Sequence, residues 1–249
     1  MNIITNEKLI KRNSIIAQVT NFTGIGILIV MLFVFFKFKD DPTIYNLSWW
    51  LVIAAFILTQ VGLYYMNRWG RRPRPDEYLN MALKGLSSNY SLYHYRTPTS
   101  HLLVGPAGVW VLLPRYQRGK ITYEKNRFRQ RGGGPLMGYL RIFGQEGIGR
   151  QEIEAEMEIS SINKLFKKKL GEDNLPEIKA ALVFTSDKAE IEIEDAPVPV
   201  LPVKKLKEFI RKTAKGKVLS VDRIHTITAM LGGETKVQPD QGAEKEEEE

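Results

Sequence analysis

The chain has 249 residues, no cysteine and a formal net charge of +8. This length accommodates a membrane anchor and one soluble domain of ordinary size, but not two large domains. The absence of cysteine excludes disulfides, thiolate metal ligands and a cysteine nucleophile. The C-terminal segment 232–249 carries seven acidic and two basic residues, so the remainder carries +13, a balance that favours anionic partners such as lipid headgroups or nucleic acid.

Two uncharged apolar runs near the start of the chain predict transmembrane helices. They cover residues 15–36 and 47–66, and about 20 apolar residues are enough to cross the hydrocarbon core as a helix. Neither run has a polar face that would meet water in a soluble protein. The alternative for the first run is an uncleaved signal peptide, because basic residues precede it. Its length, the lack of a small-residue cleavage site and the second run soon after it favour an anchor.

The charges that flank these runs predict a helical hairpin with both ends in the cytoplasm. Residues 1–14 form the predicted cytoplasmic N-terminus, and residues 37–46 the short external loop. Positive charge near a span marks its cytoplasmic side. The basic residues in question are Lys8, Lys11 and Arg12 before the first run, and Arg68, Arg71, Arg72 and Arg74 after the second. The four arginines, in a basic linker of residues 67–76, either bind an anionic membrane surface or only set the topology.

Residues 77–231 predict a mixed α/β domain. Asp76 is the predicted N-cap of a helix that runs to Leu86, and an amphipathic helix is expected at residues 203–212. Strands are predicted at residues 90–96, 100–105, 109–113, 178–185 and 198–201, with a hairpin at 121–130 that turns near Lys125 and Asn126. Residues 232–249 are too poor in apolar groups to fold and predict a disordered acidic tail.

A long helix at about residues 150–170 completes the predicted domain. Its apolar stripe contains Ile153, Met157, Ile162, Leu165, Phe166 and Leu170. Early glutamates (Glu152, Glu154, Glu156 and Glu158) and late lysines match the helix macrodipole. We therefore interpret the acidic run as a solvated helix face rather than as a metal site.

One segment resembles the nuclease-related domain (NERD) family: residues 101–128, with the sequence HLLVGPAGVWVLLPRYQRGKITYEKNRF. The similarity extends from about Glu77 to Lys212 and leaves both apolar runs outside it. The resemblance implies a restriction-endonuclease-like fold. The expected architecture is therefore α/β: two transmembrane helices followed by a restriction-endonuclease-like mixed sheet flanked by helices.

The family's nuclease chemistry needs a carboxylate at the start of the first hairpin strand and a Glu-x-Lys motif on the second. Those positions fall here on Ser100, Leu113 and Arg115, so only the positive charge is retained. Serine and leucine cannot replace two carboxylate ligands of Mg²⁺. The sequence thus predicts no catalytic residue, metal or cofactor here. An active nuclease would need Mg²⁺ and relocated carboxylates, for which Glu77 and Glu124 are the candidates.

His101 lies next to the lost carboxylate and has the chemistry of an acid or base near neutral pH. The chain has only two other histidines, His94 and His225, and no close His/Glu spacing of a metal site. We favour a hydrogen-bonded structural histidine.

The predicted hairpin region is strongly basic. Its single acidic residue is Glu124, and its basic residues are Arg115, Arg118, Lys120, Lys125, Arg127, Arg129 and Arg131, interleaved with Tyr116, Tyr123 and Phe128. Such a surface binds phosphates without reading sequence, and loses affinity as salt rises. The alternatives are a solvated hairpin and one that lies against anionic lipid.

These patterns predict an integral membrane protein with a cytoplasmic soluble domain. Its expected partners are the lipid bilayer and, through the basic hairpin, nucleic acid or anionic lipid; the sequence leaves a protein partner unknown. The predicted function is a catalytically degenerate nuclease-related domain that acts as a nucleic-acid-, lipid- or protein-binding module. The alternative is an active metal-dependent nuclease with relocated carboxylates.

Overall fold

The computed structural model describes residues 1–38, 41–132, 148–172, 174–216 and 219–232. The chain divides into two compact units. The sheet unit contains Met1–Thr5, Asp76–Arg131 and the described residues from Ile148 onward, and the helical unit contains Asn6–Pro75. The predicted acidic tail lies outside the described residues, apart from Gly232.

The helical unit consists of helices α1 (Glu7–Lys37) and α2 (Pro42–Tyr65), followed by a π-helical turn at Met66–Gly70. Both helices begin before the predicted spans because polar side chains cap them: Asn6 accepts a hydrogen bond from the Leu9 amide, and Asp41 accepts from the Thr43 and Ile44 amides. Helical structure therefore extends into the predicted external loop of residues 37–46 and into part of the predicted linker.

Small residues let α1 and α2 approach closely. A Cβ atom added to Gly24 would lie 2.6 Å from the Thr59 hydroxyl oxygen, and one added to Gly62 would lie 2.9 Å from the Asn21 backbone nitrogen. Large apolar side chains on these helices are exposed instead, as Phe22 shows at 70%. By length and composition, both helices are sufficient to cross a membrane.

The sheet unit contains nine described strands. In chain order they are β1 (Asn2–Thr5), β2 (Ser91–His94), β3 (His101–Gly105), β4 (Gly108–Arg115), β5 (Gly119–Glu124), β6 (Arg127–Arg131), β7 (Ile178–Phe184), β8 (Ala189–Glu192) and β9 (Val200–Pro202). They form a six-stranded sheet in the order β1-β2-β3-β4-β7-β9 and a three-stranded sheet in the order β6-β5-β8. Strands β2, β3 and β4 are antiparallel, whereas β4, β7 and β9 run parallel.

Helices cover both faces of the six-stranded sheet. They are α3 (Pro75–Leu83), α4 (Gln151–Leu170), α5 (Leu206–Gly216), which follows a 3₁₀ turn at Val203–Lys205, and α6 (Val221–Met230). Side chains alternate along β4 between two cores. Val111 packs in the core of α4 and α6, and Leu112 packs in the core of α3 and α5. The prediction of a mixed sheet flanked by helices is confirmed.

Most predicted elements appear with shifted ends, and two local predictions are wrong. Asp76 lies inside the first turn of α3 and is buried, so it is not the N-cap; the helix also ends at Leu83, before Gly85, whose φ is +82°. Met157 is 58% exposed. The buried face of α4 runs through Ala155, Ile162 and Phe166, and the helical period of 3.6 residues turns Met157 away from it.

Candidate functional site

Two of the three positions implied by the family resemblance lie at the end of β4. Leu113 and Arg115 are two residues apart and therefore share a face of the sheet. Leu113 is 5% exposed and packs in the core with α4. Ser100 is exposed and immediately precedes β3. Neither Ser100 nor Leu113 offers a carboxylate oxygen.

The Arg115 side chain is held by the first turns of α4. Its Nη2 lies 2.6 Å from Glu154 Oε2, and its Nε donates a hydrogen bond to Gln151 Oε1. The side chains of Arg115 and Glu154 are 14% and 35% exposed. The guanidinium therefore has a carboxylate partner, and this pair would have to break before Glu154 became available to a cation.

The backbone at Arg115 is fixed as well. Its carbonyl oxygen accepts hydrogen bonds from the amide and the hydroxyl of Thr185, at 2.7 and 3.1 Å. These bonds tie the end of β4 to the residue that follows β7. The position of the guanidinium is thus set by both the sheet and α4.

A buried histidine pair lies between the ends of β2 and β3, on the α3 side of the sheet. The Nδ1 atoms of His94 and His101 are 2.8 Å apart, and His94 Nε2 lies 3.0 Å from Asn80 Oδ1. One of the two facing nitrogens must carry no proton, so the rings cannot both be cationic. Burial, His94 and the Arg115 guanidinium hold the pKa of His101 well below its usual value of 6.5. His101 is thus buried and hydrogen-bonded, as the sequence predicts; its structural role stays a prediction.

The basic hairpin has the predicted turn. Lys125 and Asn126 both have positive φ, at 52° and 57°, as the two central residues of a tight hairpin turn require. On β6, Arg127, Arg129 and Arg131 are exposed and alternate with buried residues. They lie on one face of the three-stranded sheet.

That face is less basic than the sequence indicates. Strand β8 pairs with β5 and places Glu190 beside Lys120 and Glu192 beside Thr122. Lys120 Nζ lies 2.5 Å from Glu192 Oε2, and an Arg131 nitrogen lies 3.0 Å from Glu124 Oε2. Glu124 is the one acidic residue of the basic stretch itself, and the further carboxylates come from β8, which lies far away in the sequence. Within the described residues, Arg127 and Arg129 have no carboxylate partner.

Within the described residues, neither relocated carboxylate proposed from the sequence forms an ion pair with Arg115. Glu124 is a hairpin residue paired with Arg131, and Glu77 lies in the first turn of α3. Among the described residues, the carboxylate paired with Arg115 is Glu154, which the sequence placed on a solvated face. The described ranges contain no cluster of three or more His, Asp or Glu residues arranged to hold a metal ion. The spacing of Gln151 and Glu154 by one helical turn is the signal that would have shown them on a common face.

The linker arginines belong to the helical unit. The Arg68 guanidinium carbon lies 4.0 Å from the centre of the Tyr64 ring, and the Tyr65 and Trp69 rings are 5.2 Å apart. Arg71 and Arg72 are exposed. Arg68 therefore packs against an aromatic cluster, whereas Arg71 and Arg72 are exposed at the surface.

No protein-family model matches the chain, and no curated protein or solved structure matches it either. The resemblance to the nuclease-related family therefore stays a prediction.

Proposed function

We propose that the chain is a membrane-anchored, nuclease-related domain that has lost its metal site and binds phosphate-bearing polymers without cleaving them. In this proposal the mixed sheet and its flanking helices have the restriction-endonuclease-like fold implied by the resemblance. The observation that carries the proposal is the Arg115–Glu154 pair beside Leu113. A fixed guanidinium and a core leucine occupy positions where hydrolysis would need a cation and its ligands.

The anchor is formed by α1 and α2 as a transmembrane hairpin. β1 precedes α1 in the chain and pairs with β2, which follows α2. Both flanks of the hairpin therefore belong to one compartment, and the basic residues on both flanks favour the cytoplasm. This pairing supports an even number of spans.

The ligand-binding surface is the exposed face of the hairpin. Arg127, Arg129 and Lys125 are exposed there and have no carboxylate partner in the described part of the chain. Exposed cations of this kind contact the nucleic-acid backbone and release counterions. Glu190 and Glu192 on the neighbouring strand lower the affinity, and the release of counterions makes it fall as salt rises.

The test uses the full chain in nanodiscs of neutral phosphatidylcholine. Binding of fluorescent single-stranded and duplex DNA is measured across salt concentrations, and cleavage is measured with Mg²⁺ and with Mn²⁺. We expect binding that weakens as salt rises and no metal-dependent cleavage. The combined variant Arg127→Gln and Arg129→Gln should weaken binding about tenfold, while Arg96→Gln, at an exposed arginine outside the hairpin, serves as the matched control.

Two results would overturn the proposal. Metal-dependent cleavage that Glu154→Gln abolishes would establish an active nuclease with a relocated carboxylate. Binding that depends on anionic phosphatidylglycerol in the nanodisc, and that DNA does not compete for, would make the hairpin a lipid-binding surface instead.

A further inference from the structure

A cleft opens where the parallel strands β4 and β7 end. It has a volume of about 530 Å³ and is lined by α3, by the loops that follow β4 and β7, and by the 3₁₀ turn before α5. Small-molecule sites typically have volumes of about 300–1,000 Å³. Ligands of open α/β sheets bind outside the carboxyl ends of the strands. The cleft thus has the size and the position of a site for a small ligand.

Positive charge dominates the lining. Arg118 follows β4, Lys188 follows β7 and Lys204 lies in the 3₁₀ turn. Asp187 is the acidic residue of the lining, and its Oδ1 lies 2.8 Å from Lys204 Nζ. Within the described ranges, Arg118 and Lys188 have no carboxylate partner. Two uncompensated positive charges therefore face one cleft.

Hydrogen bonds fix the two loops that carry these cations. The Gly119 amide donates to the Lys188 carbonyl at 2.7 Å, which joins the two loops. The Gln130 side chain donates to the Arg118 carbonyl at 2.8 Å. Ser186 Oγ accepts from the Lys188 amide at 3.3 Å, so the Ser186 hydroxyl hydrogen can donate to a ligand. The cleft thus combines two cations with a hydroxyl donor, the groups that bind a phosphate.

One wall of the cleft is apolar. Met81 on α3 is 57% exposed, and Ala82 and Val203 lie beside the same cleft. An exposed, flexible methionine adapts to irregular apolar or aromatic ligand surfaces. A bare inorganic ion would leave this wall uncovered.

We propose that this cleft binds a small organic phosphate ester. The phosphate contacts Arg118, Lys188 and Ser186, and the organic group packs against Met81 and Val203. The cleft is separate from the exposed β6 face that carries Arg127 and Arg129. It is therefore a second binding site, in addition to the surface proposed to bind polymers.

The test uses the full chain in phosphatidylcholine nanodiscs and isothermal titration calorimetry at constant ionic strength. The probes are adenosine 5′-monophosphate, glycerol 3-phosphate as the fragment of a phospholipid headgroup, and adenosine. We expect saturable binding of adenosine monophosphate, weaker binding of glycerol 3-phosphate and none of adenosine. Tighter binding of glycerol 3-phosphate would support the same site with a lipid headgroup as the source of the phosphate.

Variants decide whether the binding occurs in this cleft. Arg118→Gln and Lys188→Gln should each weaken adenosine monophosphate binding about tenfold. Lys205→Gln removes a neighbouring exposed charge that does not line the cleft, and should bind as the unmodified chain does. If Arg118→Gln fails to fold, Lys188→Gln decides the matter.

The proposal is overturned if neither phosphate binds saturably, if adenosine binds as well as its phosphate, or if Lys188→Gln binds as tightly as Lys205→Gln. A negative calorimetry result would not affect the proposal that the hairpin binds DNA, because that proposal is tested separately with the Arg127 and Arg129 variants.

Discussion

Two arginine-containing regions of the sheet unit differ in what surrounds their side chains. Arg115, at the end of β4, is 14% exposed and is bound by Glu154 and Gln151. Arg127 and Arg129, on β6, are exposed and lack a carboxylate partner in the described part of the chain. In the sequence the two regions form one basic stretch. Burial and partners from distant segments, rather than local charge, separate a structural arginine from one available to a ligand.

The largest effect should come from substituting the partly buried arginine, Arg115. Arg115→Met should lower the free energy of unfolding by about 2 kcal/mol, because Glu154 would lose its partner in a partly buried place. Arg129→Met should change it by less than about 0.5 kcal/mol. Hydrogen exchange of the β4 and β7 amides measures both variants. Equal effects of the two substitutions would show that burial does not distinguish the arginines.

Acid should weaken the fold through the histidine pair. Because the pKa of His101 is held well below 6.5 in the folded chain, the unfolded chain takes up a proton at higher pH. The stability of the neutral pair is therefore present above about pH 6.5 and is lost as the pH falls below it. Thermal unfolding between about pH 7.5 and 5 should show this loss, and His101→Asn should flatten it. An unchanged pH profile in His101→Asn would assign the acid sensitivity to other groups.

The next effect concerns β1, the edge strand that precedes the anchor. Ile4 is partly buried against the core that contains Tyr93, whereas Ile3 is 47% exposed. Ile4→Ala should cost about 1 kcal/mol of unfolding free energy, and Ile3→Ala less than about 0.5 kcal/mol. Hydrogen exchange of the β2 amides reports both. Full protection of β2 in Ile4→Ala would mean that β1 does not stabilise the sheet.

The smallest expected effect is on DNA binding by the exposed hairpin arginines. Glu190→Gln and Glu192→Gln should each strengthen DNA binding about threefold, because each removes a negative charge beside the hairpin cations. Glu156→Gln, at an exposed glutamate of α4, is the matched control. Fluorescence anisotropy across salt concentrations measures all three. If Glu190→Gln and Glu192→Gln leave DNA affinity unchanged, the ligand does not lie on this face.

The sequence predicts the elements whose signals are local. The apolar β4 and β7 strands, the Lys125–Asn126 turn and the long α4 helix all appear close to their predicted ranges. Strands β1 and β8, which the sequence does not predict, are short and pair with strands from distant parts of the chain. β1 pairs with β2 at residues 91–94, and β8 consists of alternating charged and apolar residues beside β5. The missed helix α6 begins after Ser220, whose side chain accepts a hydrogen bond from the Arg223 amide.

The candidate site was only partly predictable. Ser100 and Leu113 are not carboxylates, and residue identity of this kind is read directly from the sequence. The partner of Arg115 cannot be read from the sequence, because Glu154 lies on α4, after a long intervening segment. The cleft proposed to bind a phosphate ester is formed by α3, by the loops that follow β4 and β7 and by a 3₁₀ turn. Arg118 and Lys188 come together there through the parallel pairing of β4 and β7.

In the proposed function, a guanidinium bound to Glu154 lies where the family resemblance implies a metal site. Titration of Mn²⁺ into the full chain in nanodiscs, followed by electron paramagnetic resonance of the free ion, tests it most directly. We expect Glu154→Gln and the unmodified chain to bind Mn²⁺ equally weakly, with no saturable site. A saturable Mn²⁺ site in the unmodified chain that Glu154→Gln abolishes would contradict the claim.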